Sequence, residues 1–569
     1  MLNKSVESTL ARLLFIGTPF VTLFLVTDSV TDPVNVTKLL AAGAVGFAAF
    51  AVTMTYGFKT LWRESKSLVI TVGLFLVAAL NAVINSAAPL AQNFYGTYGR
   101  NTGFIMYLSL AFITMAAALL RQKKYFDRLI QGLFFAGIVN VAYCAWVLAF
   151  GDFIRWSNPY GNILGLFGNP NFIAAFLGMF IAAIVAFIFQ KGLHWGYRAA
   201  GVLLSLVAFY EIYRSVAVQG LVVTAAGLVF VGFYLVRSWF TGWVIPTAYT
   251  VAVSAMGGMA LLGALQKGPL TEYIYKTSVS LRGSYWHAGL SMGSSHPFTG
   301  VGMDAYGDWY RRARSLIAAT TTPGPSTISN APHNVVIDFF AYGGYPLLLT
   351  YLALLGLGVW AIVRVTARRR SYDATFVAIA VTWTCYQLQS IISINQVGLA
   401  IWGWLFTGAL LAYEITTRPE KAAVGGSEPK PAGRSAVKAK TSDPIFSASL
   451  VAGLGLLLGL LVAAPPYSAD SRWRSALVSQ NVVNIEAALA PAYLSPRSSF
   501  RLASAVQLLE QSKMSDLAYK YAKIGVAYNP DFFDGWRMMY AISKSTPADK
   551  ATALANMKRL DPLNADVTK

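Results

Sequence analysis

Apolar runs of about 20 residues, separated by shorter polar connections, dominate the chain. A helix of that length covers the hydrocarbon core of a bilayer, so each run predicts a membrane-spanning helix. Nine runs precede residue 265 and four follow residue 333, which predicts an all-α polytopic membrane protein with about 13 spans. The predicted spans are 11–28, 37–56, 67–86, 103–120, 129–150, 171–190, 199–214, 219–236, 242–264, 334–363, 373–393, 397–415 and 445–464.

Composition agrees with this pattern, since 56% of the residues are hydrophobic and only 12% are charged. The two cysteines, Cys144 and Cys385, both lie in apolar runs, so the sequence predicts neither a disulfide framework nor a zinc site. The net charge of +20 is compatible with nucleic-acid binding. In so apolar a chain, membrane topology is the first explanation to test.

Lysine and arginine concentrate in alternate connections, as a cytoplasmic N-terminus with Lys4 and Arg12 requires. The opposite connections hold little beyond Arg100, Arg155 and Arg214. Topology therefore accounts for most of the charge, and we expect no nucleic-acid partner. The predicted cytoplasmic residues are Lys59, Arg63, Lys66, Arg121, Lys123, Lys124, Arg128, Lys191, Arg198, Arg237, Arg364, Arg368, Arg369, Arg370 and those from Arg418 to Lys440.

Three regions stand outside the predicted bundle. A long aromatic connection and the tail after the last span both fall on the extracytoplasmic side by parity, whereas a segment rich in Pro, Gly, Ala and Lys predicts a flexible cytoplasmic linker. The predicted divisions are an N-terminal bundle 1–264, the long loop 265–333, the rest of the bundle 334–415, the linker 416–444, the last span 445–464 and the tail 465–569.

The tail carries the pairs Asn529-Pro530 and Asp561-Pro562, close to the 34-residue period of tetratricopeptide helix pairs. This predicts a helical, tetratricopeptide-like domain that binds a protein partner or supports its neighbour. A plain helical cap over the membrane domain is the alternative.

Two arginines outside the basic connections are candidates for function, because a cation beside a span is costly unless it reaches an interface or binds a ligand. Arg214 ends the span 199–214, where Glu211 offers an ordinary structural partner. Arg282 begins the ordered part of the long loop and shares a helical face with Trp286, on which it is able to stack. Anchoring to lipid headgroups is the alternative for Arg282.

His333 stands just before an apolar run, after Pro332. Proline favours the first turn of a helix, which predicts an imidazole at the positive end of the helix dipole and in its neutral, proton-accepting form. Arginines bind diphosphate oxygens and stabilise a leaving phosphate, and a histidine deprotonates an attacking hydroxyl. Together these residues indicate a glycan carried on a polyprenyl diphosphate as substrate.

Four segments resemble the superfamily of O-antigen ligases and polymerases. "HNVVIDFFAYGG" is similar to its His-Asn element, "YRSVAVQG" to its transmembrane arginine segment, "LRGSYWHAGLSMGSSHPFTGVGMDAY" to its loop segment, and "GNPNFIAAFL" to a further common segment. The similarity spans roughly 155–415.

The resemblance implies a fold related to the GT-C class and a metal-independent, inverting glycosyltransferase that uses no cofactor. Such an enzyme moves a preassembled glycan from undecaprenyl diphosphate to an acceptor hydroxyl at the outer face of the bacterial cytoplasmic membrane. By the same resemblance His333 is the base, Arg214 and Arg282 hold the diphosphate, and Asn334 belongs to the site.

Other side chains offer further chemistry. Asp28 and Asp32 are paired carboxylates of the kind that hold a metal ion, but Asp-Pro after a span more often ends a helix, and we favour that interpretation. Asp304 and Asp308 share a helical spacing beside Trp309. We expect these three residues, together with Trp286, to bind the glycan or the acceptor. Pairing of the two carboxylates with arginines nearby is the alternative.

The acceptor is open among a lipid or cell-envelope core (a ligase), a growing glycan chain (a polymerase) and a protein Ser or Thr. We favour a ligase, because the long loop and tail offer room for a bulky acceptor. A transporter of lipid-linked glycans is a different class, but transporters place charged sites near the midplane of paired halves. The third possibility is a protein whose tail domain binds a partner and whose membrane domain has no catalytic activity. The presence of Arg214, Arg282 and His333 together argues against it.

Overall fold

The computed structural model describes residues 3–274, 277–321, 324–419 and 446–568, and these are helical with no strand among them. Eleven helical segments in this part of the chain are long and apolar enough to cross a membrane. The chain is therefore an all-α protein of the polytopic membrane type. The segments are Lys4–Leu23, Asn35–Glu64, Lys66–Asn85, Lys123–Phe150, Pro170–Ile188, Val218–Trp239, Val244–Ala264, Val335–Arg368, Ala374–Ile392, Val397–Thr416 and Ala448–Ser479.

The α-helices are numbered in chain order. They are α1 Lys4–Leu23, α2 Asn35–Val52, α3 Phe58–Glu64, α4 Lys66–Asn85, α5 Leu90–Tyr95, α6 Phe104–Ala117, α7 Lys123–Phe150, α8 Pro170–Ile188, α9 Trp195–Arg214, α10 Val218–Trp239, α11 Val244–Ala264, α12 Thr271–Ile274, α13 Thr277–Ser295, α14 Tyr306–Ala313, α15 Leu316–Thr320, α16 Val335–Arg368, α17 Ala374–Ile392, α18 Val397–Thr416, α19 Ala448–Ser479, α20 Val482–Leu489, α21 Ser499–Gln511, α22 Ser515–Tyr528, α23 Phe533–Ala541, α24 Pro547–Leu560 and α25 Ala565–Thr568.

Eleven of the thirteen predicted spans correspond to these apolar segments, and the other two are helical but differ in character. The run 103–120 forms α6, which has only 14 residues and is buried against other helices. The run 199–214 forms α9, whose apolar centre is flanked by Arg198, Glu211 and Arg214. Those charges keep α9 outside the set of candidate spans. The predicted linker 416–444 lies outside the described residues, except for 416–419.

The centre of the bundle is α18, which packs against α6, α16 and α17 and is almost entirely buried. A Cβ on Gly408 would lie 2.1 Å from the Thr114 carbonyl oxygen, so glycine permits the close approach of α18 and α6. The Trp402 indole donates to Thr22 Oγ1 at 2.9 Å, and Thr114 Oγ1 donates to the Trp404 carbonyl at 2.8 Å. These bonds satisfy polar groups that apolar surroundings would otherwise leave unpaired.

Helix α16 breaks at Gly343 and Gly344, and the loop segment 296–302 fits into the break. Val301 N donates to the Ala341 carbonyl at 2.8 Å, and Tyr345 N donates to the Pro297 carbonyl at 2.8 Å. Gly344 has φ 62°, and a Cβ there would lie 2.2 Å from the Pro297 oxygen. The two glycine-containing motifs, "AYGG" and "HPFTGVG", thus fold against each other.

The tail begins without a break, because α19 runs from the apolar segment straight on to Ser479. The predicted boundary between a span 445–464 and a tail 465–569 therefore falls inside one helix. Helices α20 to α25 then pack in sequence, α21 on α22 and α23 on α24.

Charged side chains hold this tail against the long loop. Asp561 forms ion pairs with Arg311 at 3.0 Å and Arg314 at 2.7 Å, and Asp531 pairs with Arg312 at 3.2 Å. The tail and the loop therefore lie together at one end of the bundle.

Candidate functional site

His333 lies two residues before α16 rather than in its first turn. Asn334 is the N-cap residue, and its side-chain oxygen accepts from Val336 N at 3.0 Å and Ile337 N at 3.2 Å. The prediction that Pro332 starts the helix is wrong, because Asn334 supplies the cap and sets the start at Val335. His333 has φ 57°, a left-handed conformation.

A cavity of about 250 Å³ brings His333 and Arg282 together. The His333 ring stacks on Tyr285 of α13, with ring centroids 5.7 Å apart. The opposite wall is the start of α8, where the Asn169 side chain caps the helix by accepting from Asn171 N at 2.9 Å. Four separate segments thus meet here: α13, the turn before α16, the "GNPNF" turn, and residues 393–394 after α17.

The imidazole of His333 is held in its neutral form. Burial, together with the positive charges of Arg100 and Arg282, lowers the pKa of His333 to about 4. A neutral imidazole accepts a proton from a hydroxyl, which is the chemistry that the sequence predicted for this residue. We expected the dipole of the following helix to keep the imidazole neutral. In the structure, the cause is burial of the ring beside two guanidinium groups.

Arg100 is a cation near His333 that the sequence did not single out. It sits in the connection between α5 and α6, and its Nη2 donates to Asn330 Oδ1, three residues before His333. Burial lowers the pKa of Arg100 and of Arg282. Neither guanidinium forms an ion pair with a carboxylate in the described part of the chain. The one indication in the sequence was that Arg100 lies in a connection predicted to be extracytoplasmic, where few lysines and arginines occur.

Arg214 is not among the residues that line this cavity. It is exposed at the end of α9, where its Nη1 donates to the Tyr210 hydroxyl at 2.8 Å. The alternative partner, Glu211, is buried, and neither of its carboxylate oxygens has a hydrogen-bond donor among the described residues. The structure therefore brings two of the three predicted catalytic residues together and leaves Arg214 on the surface.

The predicted aromatic binding residues occupy the loop. Trp286 lies on α13, one turn after Arg282, and its buried indole N–H has no acceptor among the described residues. Trp309 packs edge-on against His296, with centroids 4.6 Å apart, and the Arg312 guanidinium lies 3.6 Å from its ring centroid.

Asp304 and Asp308 do not share a helical face, because Asp304 has φ 57° and α14 begins only at Tyr306. Asp304 Oδ2 accepts from Thr97 N at 2.7 Å, which ties the loop to the connection after α5. Asp308 Oδ2 accepts from Gln92 Nε2 and from Asn529 Nδ2, both at 3.0 Å. Both carboxylates join parts of the fold, and burial raises the pKa of each to about 6.

Asp32 stabilises the chain turn before α2, since its Oδ1 accepts from Val34 N at 3.0 Å and Asn35 N at 2.9 Å. Asp28 is exposed. Among the residues that the structure describes, no group of three or more His, Cys, Asp or Glu side chains is placed to hold a metal ion.

Fold and site together define a helical protein of the membrane type with a cationic, histidine-containing cavity at its loop end. Comparison with protein-family models and with curated proteins gives no match.

Proposed function

We propose that the protein is a membrane glycosyltransferase that moves a glycan from undecaprenyl diphosphate to an acceptor hydroxyl. The observation that carries this proposal is the cavity in which a neutral His333 lies beside Arg282, whose guanidinium forms no ion pair with a carboxylate of the described residues. A base and an anion-binding group in one cavity suit a reaction in which a hydroxyl attacks and a diphosphate departs.

In this mechanism His333 accepts the proton of the acceptor hydroxyl as its oxygen attacks the anomeric carbon of the glycan. The new bond forms on the face opposite the departing oxygen, so the anomeric configuration inverts. The bond between that carbon and the diphosphate oxygen breaks, and the diphosphate leaves with the electron pair. Arg282 stabilises the charge that develops there. No step uses a metal ion or a cofactor.

Arg214 enters the proposal only through the resemblance to the ligase and polymerase superfamily. Its exposed position on α9 suits contact with the lipid-borne donor before it reaches His333. Asn334 supports the base by fixing the start of α16 directly after it. Trp309, Asp304 and Asp308 act as supports of the loop, since each is packed against or bonded to protein. Trp286 has a buried indole N–H with no acceptor among the described residues, so it keeps a proposed role in binding the substrate.

The architecture proposed by the same resemblance is a GT-C-related bundle in the bacterial cytoplasmic membrane. The N-terminus is then cytoplasmic, and the loop and tail are extracytoplasmic, where the lipid-linked glycan is presented. A tetratricopeptide-like tail is supported by the starts of α21 at Ser499 and α23 at Phe533, 34 residues apart. Its proposed role is to hold a protein partner or the acceptor near the loop.

We propose a lipid or cell-envelope acceptor, as in a ligase. The tail, fixed to the loop by Asp531 and Asp561, offers a second surface beside the cavity for a bulky acceptor. Polymerase, protein O-glycosyltransferase and transporter activities are the alternatives that the experiment must separate.

The experiment incubates the purified full chain in detergent with a synthetic undecaprenyl-diphosphate glycan, a metal chelator and envelope extract, and follows products by mass spectrometry. A ligase gives glycan on an envelope molecule, and a polymerase elongates the donor without extract. A protein transferase modifies Ser or Thr. Donor that stays intact under all conditions, although it binds, would contradict the proposal and favour transport.

A further inference from the structure

A second cavity, of about 550 Å³, adjoins the one that contains His333. Asn169 and Phe172, at the start of α8, line both cavities. A ligand that occupies the second cavity therefore reaches the wall of the first.

Guanidinium groups from three distant parts of the chain line this second cavity. Arg100 comes from the connection between α5 and α6, Arg155 from the connection between α7 and α8, and Arg474 from α19. None of the three forms an ion pair with a carboxylate in the described residues. The Nε of Arg474 is buried and has no acceptor among them. Arg100 and Arg474 are partly buried, and Arg155 is exposed. The carboxylates of Asp304 and Asp338 act on the charge of Arg100 but do not line this cavity. A cavity whose lining holds more guanidinium groups than carboxylates favours an anionic ligand.

Two carboxylates also line the cavity, and neither neutralises the arginines. Asp32 is committed to the backbone N–H groups of Val34 and Asn35, and Asp28 is exposed. The three guanidinium groups therefore outnumber the two carboxylates in the lining of this cavity.

Arg100 is the arginine that connects this cavity to the base. Its Nη2 donates to Asn330 Oδ1, and no other donor nitrogen of its guanidinium has an acceptor among the described residues. Its charge acts on His333 together with that of Arg282. Free guanidinium donors presented as a planar fork match the oxygens of a diphosphate.

We propose that this second cavity holds the diphosphate of the polyprenyl donor, that Arg100 is its principal binding residue, and that Arg282 stabilises the same group from the adjoining cavity. The inference rests on the proposed function and assigns to Arg100 the diphosphate-binding role that the family resemblance implies for Arg214. Arg155 at the exposed rim and Arg474 add charge around the same ligand.

The test measures binding without transfer. Native mass spectrometry of the full chain in detergent gives the affinities for undecaprenyl diphosphate, for undecaprenol and for phosphatidylglycerol, with inorganic diphosphate as competitor. We expect tighter binding of undecaprenyl diphosphate than of the other two lipids, and we expect Arg100→Ala to weaken it about tenfold or more without changing undecaprenol binding. Competition by inorganic diphosphate would support recognition of the diphosphate itself.

Two further variants separate binding from folding. Arg63→Ala removes an exposed arginine that pairs with Glu64, and it should leave the affinity unchanged. Asn330→Ala removes the partner of Arg100 but keeps the guanidinium, so it should weaken binding less than Arg100→Ala does.

Equal losses in Asn330→Ala and Arg100→Ala would overturn the inference, because Arg100 would then act only by holding the loop. If Arg100→Ala binds undecaprenyl diphosphate as tightly as the wild type does, this inference is overturned, but the proposed function is not. The inference would also be overturned if phosphatidylglycerol bound as tightly as undecaprenyl diphosphate and if that binding depended on Arg100, because the cavity would then be a general site for lipid headgroups. If the wild-type protein does not prefer undecaprenyl diphosphate to undecaprenol, both this inference and the proposed function are overturned.

Discussion

Replacing Asp561 by alanine should release the tail from the long loop. The Asp561 carboxylate is fully buried and accepts from Arg311 at 3.0 Å and from Arg314 at 2.7 Å. The side chain of Arg314 is also fully buried, so the variant leaves a charged group in the interface without its counter-ion. The expected result is loss of docking rather than a small local change.

The magnitude follows from the burial of both partners. Removing one member of a buried ion pair costs about 3–5 kcal/mol, because the remaining charge is uncompensated. Arg314 Nη1 keeps a hydrogen bond to the Pro325 carbonyl at 3.1 Å, which offsets part of the loss. We therefore expect about 3 kcal/mol, which weakens docking roughly 100-fold.

Hydrogen exchange of the full chain measures this directly. Amides of α14 and α24, whose C-terminal ends meet at these ion pairs, should lose protection together in Asp561→Ala. The control is Asp516→Ala, since that tail carboxylate pairs with Lys544 at the exposed surface and should leave exchange unchanged. Unchanged protection of α14 in Asp561→Ala would refute the reasoning, because docking would then depend on other contacts.

Three further variants or conditions test the helix break and the site. Gly344→Ala should destabilise the chain by about 3 kcal/mol or more, since its Cβ would meet the Pro297 oxygen, whereas Gly356→Ala in open space on the same helix should not lower the melting temperature. The lowered pKa of His333, about 4, keeps the imidazole neutral at higher pH, so kcat/KM for transfer should fall on the acid side near pH 4; a fall near 6.5, the value of free histidine, would contradict the burial argument. Arg282→Lys should reduce kcat about 100-fold with little change in KM, because it keeps the charge but loses the planar fork; initial rates that match the wild type would remove Arg282 from the mechanism.

Hydrophobic periodicity predicted most of the helices, because a run of about 20 apolar residues has few alternatives to a helix. It could not distinguish a true span from α6, whose 14 residues are buried by neighbouring helices, or from α9, whose ends are charged. The continuation of α19 beyond residue 464 was also missed, because the apolar run ends there whereas the helix continues through Pro465 and Pro466 to Ser479.

The sequence predicted the candidate site only in part. His333 and Arg282 stood out as individual residues, and the structure places both on one cavity. The proximity of Arg100 depends on how a distant connection folds over the loop, which spacing along the chain does not encode. The helical spacing of Asp304 and Asp308 was misleading, because the backbone turns through a left-handed residue at Asp304.

The most direct test of the account is glycan transfer by His333→Ala and His333→Gln, measured with undecaprenyl-diphosphate glycan and envelope extract in the presence of a chelator. Donor binding and melting temperature should match the wild type while transfer falls by about 100-fold or more in both variants, because general-base catalysis contributes on that scale. Undiminished transfer by either folded variant would contradict the role of His333 as the base and, with it, the central claim.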